Sequence, residues 1–183
     1  MSTANPSPSP ILGNITEICF VTPNIYTTID GLSKTGIGPF QIFDFNASTV
    51  REQELYGERG TDLFRLKVAF AKQGSLVVEI MQPLPGGSGT KPSLMQAYLD
   101  ENGGKAGVQH IAWDMGDVRV PMEERISLMK ARGFELVMQG VWMGTKGTCR
   151  FVFFDTLGTI GTVFETIVFS EDWEDPEGGV VSL

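Results

Sequence analysis

Two stretches of this chain, NITEICFVT at 14–22 and GVQHIAWDM at 107–115, share one pattern, and each opens the same succession of elements. Both are rich in β-branched and aromatic residues, as strands are, and each is followed by a helix start. Asn24 or the neighbouring Thr and Asp residues cap the first helix, and Asp117 caps the second. The second helix is the clearer: Val118, Met122, Ile126 and Met129 recur at helical spacing and Gly133 follows as a stop. The first, over 25–34, is weakened by Thr27, Thr28 and Gly31. Three more strands follow each helix, at 40–45, 66–72 and 75–82 and then at 134–139, 149–155 and 161–169. Each half therefore reads β-α-β-β-β. The expectation is an α+β fold. Two βαβββ modules, about 14–83 and about 107–169, form a curved, incomplete barrel around a central cleft in a single domain spanning 14–169. The stretches 46–64 and 83–107 read as Gly-rich and polar insertions, of the kind that shape binding sites.

Composition narrows the function. A net charge of −8 argues against nucleic acid, which needs clustered Lys and Arg. No apolar run reaches the roughly 18 residues that span a bilayer, so no membrane partner is expected. The segment 1–13, Ser/Pro-rich over its first ten residues, is expected as a disordered tail with no signal-peptide pattern. The segment 170–183, with EDWEDPEGG, is expected as a solvated acidic tail. Cys19 and Cys149 lie in apolar segments and read as free thiols of a reducing, cytoplasmic compartment.

His110 is the only histidine, so no two-histidine metal centre can be built within one chain. Laying one half on the other finds its partners. An offset of 93 places Glu17 opposite His110, and an offset of 86 places Glu79 opposite Glu165. All four can ligate a metal, and a cleft lined by the first and last strands of each half brings them together. Glu79 shares its strand face with Val77 and Met81, and Glu165 with Val163 and Ile167. A carboxylate on an apolar face wants a partner or a cation. Salt bridges to Arg65, Lys67 or Arg150 are the alternative, and a hydrogen-bonded core histidine is the plain reading of His110 taken alone.

The segments ITEICFVTPNI, GIGPF, SLVVEIMQP, GVQHIAWDM and GTVFETIVF, in this order, resemble the vicinal oxygen chelate superfamily, which includes glyoxalase I and methylmalonyl-CoA epimerase. The resemblance implies metal ligands at Glu17, Glu79, His110 and Glu165. Glu17 is the departure, since relatives more often carry His or Gln there. Three carboxylates, a neutral imidazole and a divalent cation sum to −1, where a glutamine at this place gives zero. That favours oxygen-seeking Mn, Co, Fe or Mg, with Zn or Ni also open. Extradiol dioxygenases of the superfamily need two histidines, which this chain lacks.

The resemblance implies a metal-dependent isomerase, epimerase or lyase. Two neighbouring oxygens of a small carbonyl substrate chelate one divalent metal ion, and a carboxylate removes the adjacent proton to give an enolate. Glu165 is the expected catalytic base and Glu79 the next candidate. The substrate is either aromatic or polyketide-like or an acyl thioester. For a thioester the basic residues Lys67, Lys72, Lys91, Lys105 and Lys146 look scattered, whereas Phe40, Phe43, Phe45, Tyr56, Trp113, Trp142 and Phe153 are candidates for an aromatic pocket. A homodimer is expected. The rival readings are a metal-free small-molecule-binding protein and a cofactorless acid-base enzyme (a cyclase or hydrolase) of the same fold.

Overall fold

A computed structural model describes residues 11–117 and 119–181. The first ten residues, and the place of Val118 in the helix pattern, lie outside the described residues. Among the described residues, eleven strands form one open, curved sheet, with few helices. The first module supplies β1 (Ile15–Val21), α1 (Ile25–Ser33) and β2 (Phe40–Phe45). Its insertion holds β3 (Val50–Leu55) and β4 (Glu58–Gly60), and β5 (Arg65–Gln73) and β6 (Leu76–Leu84) complete it. After α2 (Leu94–Glu101) come β7 (Gly107–Trp113), α3 (Met122–Lys130), β8 (Leu136–Met143), β9 (Thr148–Phe154), α4 (Leu157–Ile160) and β10 (Val163–Phe169). Last is β11 (Gly179–Val181).

The sheet order, β11-β2-β5-β6-β1-β7-β10-β9-β8-β3-β4, makes the repeat visible. The first module runs 2-5-6-1 and the second 7-10-9-8, so the modules meet where β1 pairs antiparallel with β7. Within each module the first and last strands pair in parallel, β1 with β6 and β7 with β10. The four strands β6, β1, β7 and β10 therefore lie side by side at the centre. The concave face carries the largest apolar cluster, including Cys19, Val21, Phe45, Met81, Phe151 and Val163. On the convex face α1 covers one module through Ile25 and Ile29, and α3 covers the other through Met122 and Met129.

Several local expectations shift. Asn24 caps α1, accepting from the Tyr26 and Thr27 amides. Asp117 does not cap α3; it binds Arg119, and the helix begins after Pro121 with no side-chain cap. The insertions contain structure of their own. Strand β3 crosses to pair with β8 of the other module, and Ser93 caps α2. Ile11 and Leu12 pack against the Met115–Met122 cluster, so the folded part begins inside the segment expected as tail.

The C-terminal segment is also more than a solvated tail. β11 pairs with β2, Trp173 packs on the concave cluster, and Glu174 bridges to Lys146. Close approach requires glycine on both sides of this docking: a Cβ on Gly144 would lie 2.4 Å from the Glu174 carbonyl oxygen, and one on Gly178 would lie 2.5 Å from the Phe43 ring.

Candidate metal centre and cavity

The registers of the four central strands place the candidate ligands on a small grid. One row across β6, β1, β7 and β10 reads Glu79, Cys19, His110, Val163, and the next reads Val77, Glu17, Ala112, Glu165. All project from the concave face, because residues two apart on a strand share a side. A pseudo-two-fold at the centre exchanges Glu17 with His110 and Glu79 with Glu165. It also exchanges Cys19 with Ala112 and Val77 with Val163, at the same offsets of 93 and 86. Small residues between the ligands leave room for the longer side chains to converge.

Two bulges aim the ligands. On β1, Thr16 is the extra residue before Glu17, and on β7, Gln109 is the extra residue before His110. The second bulge turns Gln109 inward, where its amide oxygen faces His110 Nδ1. Gln109 is buried, although sequence alternation sends it to the other face. Accepting from Nδ1–H, it fixes the imidazole with Nε2 toward the carboxylates. Behind the ring stands Phe153, edge-on at 4.9 Å between centroids.

The four sequence-derived residues come together. One ligand atom from each of Glu17, Glu79, His110 and Glu165 lies within 4.8 Å of the others, and all four residues are buried. His110 Nε2 stands 3.0 Å from Glu79 Oε2 and 3.3 Å from Glu165 Oε2. One N–H cannot serve both, and the geometry gives it to Glu79. Glu165 Oε2 and Glu17 Oε1 are buried with no hydrogen-bond partner. The cationic alternatives are engaged elsewhere: Lys67 with Asp44, Arg65 with Asp62, and Arg150 with Glu123.

Out of water, burial and the neighbouring charges act strongly on Glu17, Glu165 and His110. Burial, and then the charges of Glu79 and Glu165, push Glu17 well above the ordinary carboxyl range. Burial pushes Glu165 up to about 7, against the lowering pull of His110. For His110 burial works downward, but Glu165 and Glu79 outweigh it and raise the imidazole to about 9. Cys19 also reaches the ligand cluster, through Glu79 and His110. Burial and Glu79 push its thiol upward, so it stays protonated and acts as a small filler. Both cysteines are free and buried.

The donor set fits a divalent cation. It offers three carboxylates and one imidazole at converging positions, and two of its buried oxygens accept no hydrogen bond. In front of it lies a cavity of about 790 Å³ between the sheet and the C-terminal segment. Glu17, Glu79 and Glu165 form its floor, and Phe43, Phe45 and Trp142 are the expected aromatics that line it. Phe40 and Trp113 lie instead in the convex clusters. Phe70, Phe151 and Trp173 complete the walls and were not singled out in the sequence.

The family described as the glyoxalase/bleomycin resistance protein/dioxygenase superfamily matches residues 16–153. The chain belongs to this superfamily. No curated protein matches it. Among solved structures it is similar to methylmalonyl-CoA epimerase from Mycobacterium tuberculosis, with a TM-score of 0.57 and 15% identity over 88% of this chain and 91% of that one. It is also similar to a methylmalonyl-CoA epimerase in complex with methylmalonyl-CoA and NH4+, with a TM-score of 0.54 and 17% identity over 90% and 99% of the two chains. A Streptomyces coelicolor methylmalonyl-CoA epimerase variant with 2-nitronate-propionyl-CoA gives a TM-score of 0.54 and 18% identity over 90% and 99%. At these identities the likeness is one of fold. The open, curved sheet of paired modules is the one expected from the repeat. No helix among the described residues is long and apolar enough to cross a membrane.

Proposed function

We propose that the protein is a metal-dependent isomerase, epimerase or lyase acting on a small carbonyl compound. The observation that carries this reading is the convergence of Glu17, Glu79, His110 and Glu165, with two orphaned buried oxygens, at the floor of a cavity. These four residues would hold one divalent cation. When bound, the cation supplies Lewis-acid polarisation of a substrate carbonyl and neutralises charge that develops on its oxygen.

The chain's own groups do the rest. Glu165 is the proposed base, because it lines the cavity and its Oε2 accepts no hydrogen bond, whereas Glu79 Oε2 stands closer to His110 Nε2, at 3.0 Å. It takes the proton next to the carbonyl; returning that proton to the other face epimerises the carbon, and to a neighbouring atom isomerises it. Expulsion of a leaving group gives a lyase instead. Glu79 is the second candidate for this role. Gln109 holds the His110 ring, and the apolar walls exclude water from the carbanion-like state. The reading includes a homodimer, which light scattering checks.

Elemental analysis of protein purified without a metal-affinity column tests the centre. About one divalent metal per chain, lost in Glu79→Ala, His110→Ala and Glu165→Ala, is the expected result. Well-folded protein that holds no metal and takes none up on titration sinks the reading.

A further inference from the structure

The cavity walls sort ligands by shape and charge. Trp142 makes four ring contacts. Its centroid lies 5.0 Å from Phe43, 5.0 Å from Phe45, 5.1 Å from Trp173 and 5.8 Å from Phe70, the last nearly parallel at 27°. Held in this way, the rings form a stiff aromatic wall of the cavity that the carboxylates also line, and an aromatic wall favours a flat aromatic guest. The rim is apolar too: Phe169 is 53% exposed and Val180 is 62% exposed.

Charge points the same way. Among the described residues lining the cavity, Lys72 is the one cation, set against Asp175 and the three glutamates of the floor. A bound divalent ion leaves this lining net negative. Lys146, beside the C-terminal segment, is neutralised by Glu174 at 2.6 Å. Recognition of a diphosphate needs a cluster of Arg or Lys or a run of aimed amides, and the lining has neither.

We infer that the cavity takes an uncharged, flat aromatic compound carrying two adjacent oxygens rather than an acyl-CoA thioester, and that the C-terminal segment is the wall that sets this preference. The inference rests on the metal reading above for the two oxygens and on the lining for the aromatic body. The segment is a built part of the site. Trp173, Asp175 and Val180 line the cavity, β11 is registered on β2, and Gly144 and Gly178 give the close approaches that seat it.

The test uses the full chain, metal-stripped and metal-loaded, with 3-hydroxyflavone as the flat probe with neighbouring oxygens and propionyl-CoA as the thioester. Quenching of tryptophan fluorescence reads binding, since Trp142 and Trp173 face the cavity. The flavone should saturate both forms, at least about tenfold tighter with metal, and a large excess of propionyl-CoA should not displace it. Trp173→Ala should weaken the flavone about tenfold in both forms while metal uptake, which reports an intact centre, is kept. Val180→Asp, at an exposed position that leaves folding alone, should weaken it as well. Displacement by propionyl-CoA, or flavone binding indifferent to both substitutions, overturns the inference. Metal uptake with no flavone binding overturns it and leaves the metal reading standing. Flavone binding with no metal uptake overturns the metal reading, and with it the requirement for two adjacent oxygens, and leaves the preference for a flat aromatic body standing.

Discussion

Replacing Glu17 by glutamine separates what this residue does without a cation from what it does with one. The ligand atoms of the four residues lie within 4.8 Å of one another, and Glu17 Oε1 accepts no hydrogen bond. Two ionised carboxylates that close repel by about 3–4 kcal/mol at an effective dielectric of about 20. Without a cation the protein avoids this by keeping Glu17 protonated, since burial, Glu79 and Glu165 all push its pKa up. Glutamine has the shape of the protonated acid and also donates. The metal-stripped variant should therefore unfold within about 1 kcal/mol of the parent near pH 6, a melting shift of no more than about 2–4 °C. With a cation the two diverge. The parent releases the Glu17 proton on binding and gains a full charge, whereas the variant does neither. The binding constant of the parent should rise with pH more steeply by one proton, so the affinity gap widens about tenfold, or 1.4 kcal/mol, per pH unit until Glu17 has titrated. Titration calorimetry in two buffers of different protonation enthalpy, between about pH 6 and 8, counts the protons released. Equal proton release and equal affinity would refute Glu17 as a ligand. A large stability loss in the metal-stripped variant would refute its being held protonated.

Metal-stripped protein should lose stability as pH rises. Glu165 is raised from 4.5 to about 7, so its stabilising contribution is complete below 4.5 and is lost as pH climbs to about 7. His110 is raised from 6.5 to about 9, and its contribution is likewise lost between those values. Each shift corresponds to roughly 3 kcal/mol before coupling, and saturating metal should flatten or invert the trend in a pH series of melting curves; a flat metal-stripped profile would contradict the buried cluster. Gln109→Leu removes the acceptor for His110 Nδ1 and should weaken metal binding about 10- to 100-fold, as measured by competition with a fluorescent chelator; unchanged affinity would assign Gln109 to packing alone. Arg125 is only 1% exposed and ties α3 to β10 by donating to Thr166 Oγ1 at 2.7 Å and to the Ile167 carbonyl. Arg125→Met should cost about 2–4 kcal/mol in denaturant unfolding, and a cost under about 1 kcal/mol would mean those acceptors find other donors.

The repeat was legible because its strands sit at the centre of the sheet, where burial enforces pattern. Glu79 and Glu165 each stand alone as a charge among apolar neighbours, in strands buried on both faces around them. Glu17 and His110 fall on the matching positions of β1 and β7. The edges were harder to read. Strand β3, VREQEL, is half charged because it lies near the sheet margin, and nothing local announces that its partner is β8 of the other module. Gln109 was hidden by the bulge, which breaks the alternation that would send it outward. Trp173 was hidden by its acidic neighbours. An aromatic within a charged run was the one signal that this segment returns to the protein.

Those two kinds of legibility divide the labour of the molecule. The strands that repeat, β6, β1, β7 and β10, build the carboxylate and histidine cradle, and their pseudo-symmetry leaves little freedom in where the ligands point. Most of the cavity wall also comes from repeated strands, but part of it comes from outside the repeat. Trp142 is braced at the β8 margin by pairing with Val50 of β3, and Trp173 and Val180 belong to the C-terminal segment. Metal affinity and ligand choice should accordingly respond to different substitutions. A change at Trp173 or Val180 alters which molecule enters while the cation stays, and a change at Gln109 alters the hold on the cation while the slot keeps its shape. The separation has a limit in the rings themselves: Trp142 meets Phe45, Phe45 stacks on Phe151, and Phe151 meets the Phe153 that stands edge-on to His110, so a truncation at Phe45 or Phe151, unlike one at Trp173 or Val180, should disturb both the slot and the cation.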